Sequence, residues 1–207
     1  MKASNVAAGL TAAFLVSLGA YSLNSAARVG GNGTLNAVTI DWAKTRSAPS
    51  GTPSALLVPV KGVSRASLKD SWGAAREGGR RHHGIDIMAP KGTPVWAATD
   101  GKVIKLDTSV RGGTAIYQQD ASGRVIFYYA HLDRYAPGLV EGQKVRQGET
   151  IGFVGKTGNA PIPHLHFEIQ KANEKRQWWS GAALNPFPIL RSGKLDAVVP
   201  ASFARLD

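Results

Sequence analysis

The sequence predicts an all-β fold: a compact antiparallel β-sheet or barrel-like core whose long loops wall a groove, preceded by an exported segment and a linker. Three observations predict it. Glycine supplies 24 of 207 residues and Asp, Glu, Lys and Arg together only 19%, a turn-rich and charge-poor balance against typical shares of about 7% and about 25%. From residue 56 onward, short apolar runs are cut by Gly, Asp or Pro about every 8–12 residues, the rhythm of strands joined by turns. No amphipathic pattern of three helical turns interrupts that stretch.

Each segment follows in chain order. After Lys2, residues 6–23 are uncharged and largely apolar, and the small residues Ser25, Ala26 and Ala27 precede the next charge, Arg28. Residues 1–27 therefore read as a signal peptide. An uncleaved membrane anchor is the alternative, because the run approaches the roughly 18 residues that a span needs. Residues 28–55 are rich in Gly, Ser and Pro and read as a flexible linker or arm. The main domain is expected over 56–190, with strands at 56–60, 85–88, 93–97, 102–106, 114–118, 125–131, 150–154 and 165–169. Asp100-Gly101 and Asp120–Gly123 read as hairpin turns. A short turn or helix is expected within 67–76, an irregular loop carrying Trp178-Trp179 over 171–183, and a tail over 191–207.

Composition also removes whole classes of function. With no cysteine in the chain, disulfide scaffolds, thiolate metal sites and Cys nucleophiles are excluded. The formal net charge of +11 favours an anionic partner. Export directs that preference away from nucleic acid and toward a polymer of the periplasm or cell envelope. A monomer is expected, touching membrane only through an uncleaved anchor.

All five histidines fall within the β-rich stretch, in three places: His82-His83-Gly84-Ile85-Asp86, His131, and His164-Leu165-His166-Phe167-Glu168. Strand alternation puts His164, His166 and Glu168 on one face, and by the same parity Val125, Phe127, Tyr129 and His131 on one face of theirs. Taken singly, each has a plainer reading: His82 in a basic face after Arg80-Arg81, Asp86 at a turn, His131 in the core, Glu168 toward solvent. Together they make a mixed His/carboxylate set, which suits zinc with one position left open. Trp72, Tyr129 and Trp178-Trp179 either line the groove or pack the core.

These residues carry a resemblance. His82-x-Gly84-x-Asp86, then His131-Leu132, then Pro163-His164-Leu165-His166-Phe167-Glu168 resemble the motifs of the lysostaphin/LytM-type zinc metallopeptidases, which cut peptidoglycan. Ala89-Pro90-Lys91-Gly92-Thr93-Pro94-Val95, Asp100-Gly101-Lys102-Val103 and the glycines of 152–158 agree, so that the likeness covers roughly 56–190. It departs at Asn159-Ala160-Pro161-Ile162-Pro163, where many relatives carry a short Ser/Thr-Gly run. The resemblance implies one Zn2+ per chain on His82, Asp86 and His166, with His131 and His164 as catalytic histidines and Glu168 as a partner behind the ligands; His83 is unassigned.

The activity so implied is hydrolysis of peptide cross-links in peptidoglycan stem peptides, by attack of a zinc-bound water on the scissile carbonyl. The sequence contains no His-Glu-x-x-His to supply a glutamate base, so the two other histidines would share the proton transfers. Nothing in the sequence resembles a wall-targeting domain of the kind glycine-bridge cutters carry, which leans toward D-alanyl cross-links. The alternative is a non-catalytic LytM-like envelope protein that binds peptidoglycan and activates an amidase.

Overall fold

The computed structural model describes residues 55–173 and 181–195. The expected signal or anchor, nearly all of the arm, Trp178-Trp179 and the end of the tail lie outside the described residues. Among the described residues no helix is long and apolar enough to cross a membrane.

Among the described residues the fold is an antiparallel sheet of nine strands with one short α-helix. The strands are β1 (Ile85–Met88), β2 (Pro94–Trp96), β3 (Gly101–Ser109), β4 (Gly113–Asp120), β5 (Val125–Tyr135), β6 (Lys144–Val145), β7 (Thr150–Val154), β8 (His164–Lys171) and β9 (Ala183–Leu184), followed by α1 (Pro186–Ser192). The main order is β1-β8-β5-β4-β3-β6, with β9 on β8 and β2 on β7. At 11 residues, β5 is the longest strand and the hub. Val125 to Ala130 pair with β8, and Leu132 to Tyr135 pair with β7. Leu132 is also a partner of Thr114 on β4, so β7 takes over the edge of β5 that β8 leaves.

One hydrophobic core unites both branches. It includes Ile85 and Ile87 of β1, Phe127 and Tyr129 of β5, Leu165, Phe167 and Ile169 of β8, Val95 of β2, Ile151 of β7, and Ile189 and Leu190 of α1. Alternation along β8 therefore has two outcomes. Leu165, Phe167 and Ile169 enter the core, while His164, His166, Glu168 and Gln170 share the opposite face. Tyr129 is fully buried, its hydroxyl donating to Gln118 Oε1 and accepting from Ala98 N–H. It packs the core. Trp72 is half-buried, its ring beside that of His83.

Several sequence expectations are corrected here. Residues 56–60 are a buried strap, and only Val60 bridges to Val95. Leu56 N–H donates to Gly193 O and Leu57 N–H to Ala98 O, while Pro59 has no donor to give a strand partner. Asp100-Gly101 is not a hairpin, since β2 pairs with β7 and β3 with β4 and β6; Asp100 Oδ1 instead accepts from Gln147 N–H. Asp120–Gly123 does turn between the paired strands β4 and β5. Within 67–76 the expected short turn is present at Trp72-Gly73, where Ala74 N–H donates to Ser71 O, and single 3₁₀ turns flank it at Arg65–Ser67 and Glu77–Gly79.

Strands β6 and β9 escape the apolar-run criterion because each is two residues long. The helix α1 escapes it because seven residues with two prolines carry little periodicity. Its punctuation is legible all the same. Asn185 caps Phe187 N–H, Pro186 opens the first turn, and Gly193 closes the last with φ 76° and its N–H on Ile189 O.

Candidate metal centre

The site lies on the polar face of β8, where β1 and β5 flank it. The register sets Asp86 of β1 directly opposite His166, and Ala130 of β5 opposite it on the other side. His82 precedes β1 in an irregular segment, buried, its N–H donating to Ala74 O. Gly84 lets this segment approach. A Cβ there would lie 2.5 Å from Phe167 O, 2.9 Å from Glu168 Cγ and 3.0 Å from His166 Cε1, so that only glycine brings His82 and Asp86 down onto β8.

Three atoms converge. His82 Nε2 is 2.8 Å from His166 Nδ1 and 3.1 Å from Asp86 Oδ1, and His166 Nδ1 is 3.1 Å from the same oxygen. The edge of a tetrahedron with zinc–ligand bonds of ~2.0–2.1 Å is roughly 3.3 Å, close to these separations.

The other ring nitrogens fix the tautomers. His82 Nδ1 donates to Ser71 O at 2.7 Å, and His166 Nε2 donates to Glu168 Oε1 at 2.8 Å. Carbonyl and carboxylate oxygens only accept, so the two nitrogens that face each other carry lone pairs. Asp86 adds a third acceptor. Its other oxygen, Oδ2, accepts from the Arg76 guanidinium. Three convergent acceptors without a donor among them repel, and a cation at their centre relieves this. The donor set fits a metal ion, and each imidazole has the outer acceptor that a metal-bound histidine uses. Without a metal a proton serves: burial lowers the pKa of His166, but its two carboxylate partners outweigh this and raise it to about 8.

His131 and His164 stand beside the triangle. His164 Nδ1 donates to Ile162 O at 2.8 Å, leaving Nε2 3.5 Å from Asp86 Oδ1. His131 Nδ1 donates to Thr157 O at 2.9 Å, and its ring centre lies 4.8 Å from that of His164 and 5.8 Å from that of His166. Burial pushes the pKa of His131 down to about 4, more strongly than the Thr157 carbonyl raises it.

The expected parity of His131 is corrected here. Strict alternation would set it with Tyr129 on the core face, yet it meets the histidines on the other. The register between β4 and β5 slips between Thr114 and Ile116, and His131 has φ 61°, the only positive φ outside glycine among the described residues. This bulge turns the side chain over to the site.

Thus all five expected site residues, His82, Asp86, His131, His164 and His166, come together, with Glu168 behind His166. His83 is exposed and outside the cluster. Sequence reasoning missed Ser71, Arg76, Thr157 and Tyr128, whose ring meets the edge of His166 at 6.0 Å between centres. Burial and the Glu168 carboxylate push the Tyr128 phenol up to about 12. Ser71 and Thr157 meet the histidine rings through main-chain carbonyls, which no side-chain motif encodes. Met88, in register with His164, and Ile162 are exposed large hydrophobic residues bordering the cluster.

Comparison with known proteins places this geometry. The family model described as Peptidase family M23 matches residues 80–185. An L-Ala–D-Glu endopeptidase of Bacillus subtilis is 37% identical over 135 residues, 61% of this chain and 40% of that protein. The peptidoglycan DD-endopeptidase ShyC of Vibrio cholerae is 43% identical over 90 residues, 44% of this chain and 20% of that one. The chain thus spans less than half the length of either relative. Among solved structures, the catalytic domain of lysostaphin from Staphylococcus simulans aligns with a TM-score of 0.54 and 31% identity, covering 61% of this chain and 95% of that domain.

Proposed function

The chain belongs to peptidase family M23, and from that premise we propose that it is a zinc-dependent endopeptidase hydrolysing peptide cross-links of peptidoglycan in the bacterial envelope. The observation that carries the reading is the triangle of His82 Nε2, Asp86 Oδ1 and His166 Nδ1, with the rings of His131 and His164 beside it.

His82, Asp86 and His166 would hold one zinc ion per chain. Bound there, the ion supplies a Lewis acid that polarises a carbonyl and acidifies water. The chain's own residues do the rest. Ser71 and Glu168 keep the protons of His82 and His166 on the outer side of each ring. Burial keeps His131 neutral, so its Nε2 can accept a proton. His131 and His164 divide the proton transfers: one takes the proton of the attacking water, and the other donates to the developing oxyanion or the leaving amine. The residues of 55–173 and 181–195 act in a chain whose charge of +11 would hold it on an anionic wall polymer, an attraction that salt screens.

The relatives' names specify different bonds, L-Ala–D-Glu in one and a DD bond in another, so the bond cut by this chain is read from products. The purified protein is assayed for zinc per chain, then incubated with sacculi and defined muropeptides, and the fragments are weighed by mass spectrometry. One zinc per chain and free stem-peptide products are expected. A zinc-free protein that cuts nothing yet stimulates an amidase would overturn the reading.

A further inference from the structure

We propose that Thr157 is a positioning residue for His131, clamping the bulge of β5 and fixing the imidazole tautomer at once. This rests on the catalytic role given to His131 above.

Three hydrogen bonds meet at Thr157. Its hydroxyl donates to Leu132 O at 2.7 Å and accepts from Thr114 N–H at 3.0 Å. Thr114 and Leu132 are register partners on β4 and β5, at the point where the register slips. The hydroxyl therefore stands between two strands whose regular pairing the bulge has interrupted, and satisfies a donor and an acceptor left over there. The third bond is made by the main chain: Thr157 O accepts from His131 Nδ1–H at 2.9 Å. Because a carbonyl cannot donate, His131 must carry its proton on Nδ1, which leaves the Nε2 lone pair for the site.

His131 is held in the left-handed region, φ 61°, a conformation that costs energy and persists only where its surroundings determine it. Its N–H is fixed by Gly112 O at 2.8 Å. Thr157 holds the following residue, Leu132, and the ring itself. The loop bearing Thr157 is tied to the turn between β3 and β4 by Asn159 N–H on Arg111 O at 3.0 Å. One side chain and its own carbonyl thus set the backbone, the orientation and the protonated nitrogen of His131.

The test compares the zinc-loaded full chain with Thr157→Val, which keeps the shape and removes the hydroxyl, Thr157→Ala as a second removal, and Thr157→Ser, which restores it. Three quantities are measured: turnover of a purified cross-linked muropeptide, zinc affinity by chelator competition, and the His131 tautomer by nitrogen NMR near neutral pH. Wild type and the Ser variant are expected to show the Nδ1–H form and rates within about threefold of each other. Val and Ala are expected to mix the tautomers and lose about 10²-fold in kcat, the scale of a misplaced catalytic group. KM and zinc affinity should stay within about twofold. A single Nδ1–H form with wild-type kcat in the Val and Ala variants would overturn the clamp, as would a loss of zinc and of folding shared by all three. A wild-type protein inert on the muropeptide would overturn the proposed activity, while the NMR readout would still decide the clamp.

Discussion

His82 Nε2 and His166 Nδ1 stand 2.8 Å apart, and the proton of each ring points the opposite way, to Ser71 O and Glu168 Oε1. Two lone pairs facing across so short a gap, with Asp86 Oδ1 3.1 Å from both, make the triangle a cation site, which a proton fills where no metal is bound. Zinc is therefore expected to stabilise the fold. At free zinc 1,000-fold above its Kd, linkage gives about 4 kcal/mol. Thermal melts of the zinc-loaded protein should shift down on chelation and recover on adding zinc back. An unchanged melting temperature would remove the triangle as a metal site.

The proposed division between ligands and proton carriers makes opposite predictions for neighbouring histidines. His131→Ala and His164→Ala should retain one zinc per chain and lose turnover by about 10²–10⁴-fold, the worth of a positioned acid or base. His166→Ala should lose the zinc itself. Metal content and rate, measured on the same preparations, check this. Loss of zinc in His131→Ala would contradict the split.

What was legible in the sequence follows from what a strand makes periodic. His164, His166 and Glu168 share a face because side chains alternate, and β8 holds to that rule. The position of His131 was not legible, since a bulge and one positive φ break the period. Ser71 and Thr157 left no signal, as their carbonyls reach histidines 11 and 26 residues away in the chain. Gly84 is the intermediate case: the motif marks it, but only the register of β1 on β8 says why.

That register predicts the outcome of Gly84→Ala. The new Cβ would meet Phe167 O at 2.5 Å, a backbone atom that cannot turn aside, so β1 must shift from β8 and carry Asp86 with it. A stability loss of about 1–3 kcal/mol is expected from the overpacking, with zinc affinity reduced by more than tenfold. Urea unfolding of the metal-free protein and chelator competition separate the two effects. Wild-type zinc affinity would show that the close approach is dispensable.

The pKa of His131, pushed down to about 4 mainly by burial, makes the metal-free fold acid-sensitive in a defined window. Unfolded, the ring has its ordinary pKa of about 6.5. Between these values the unfolded chain binds more protons, so stability rises with pH and is lost as pH falls from about 6.5 toward 4. Urea midpoints at pH 7.5, 5.5 and 4.5 should fall more steeply for wild type than for His131→Asn, which cannot titrate. Parallel profiles, or an NMR titration of His131 near pH 6.5, would contradict the burial argument.

Glu168 links the site to Gln170, and that link decides how its substitutions differ. Its Oε1 accepts from His166 Nε2–H and its Oε2 from Gln170 Nε2–H at 2.9 Å. In Glu168→Gln the oxygen that faces His166 can stay, but the new amide NH2 then meets the Gln170 NH2, donor against donor. Gln170 has a remedy, since its Oε1 is buried without a hydrogen-bond partner, and turning its amide over would present that oxygen instead. The Gln variant thus loses only the charge behind His166, and zinc affinity should weaken by about tenfold. Glu168→Ala leaves His166 Nε2–H and Gln170 Nε2–H both unpaired in a largely buried site, frees the ring to rotate, and should cost about 100-fold. Chelator competition on the two variants measures the difference. Wild-type affinity in Glu168→Ala would show that the carboxylate does nothing for the ligand it touches.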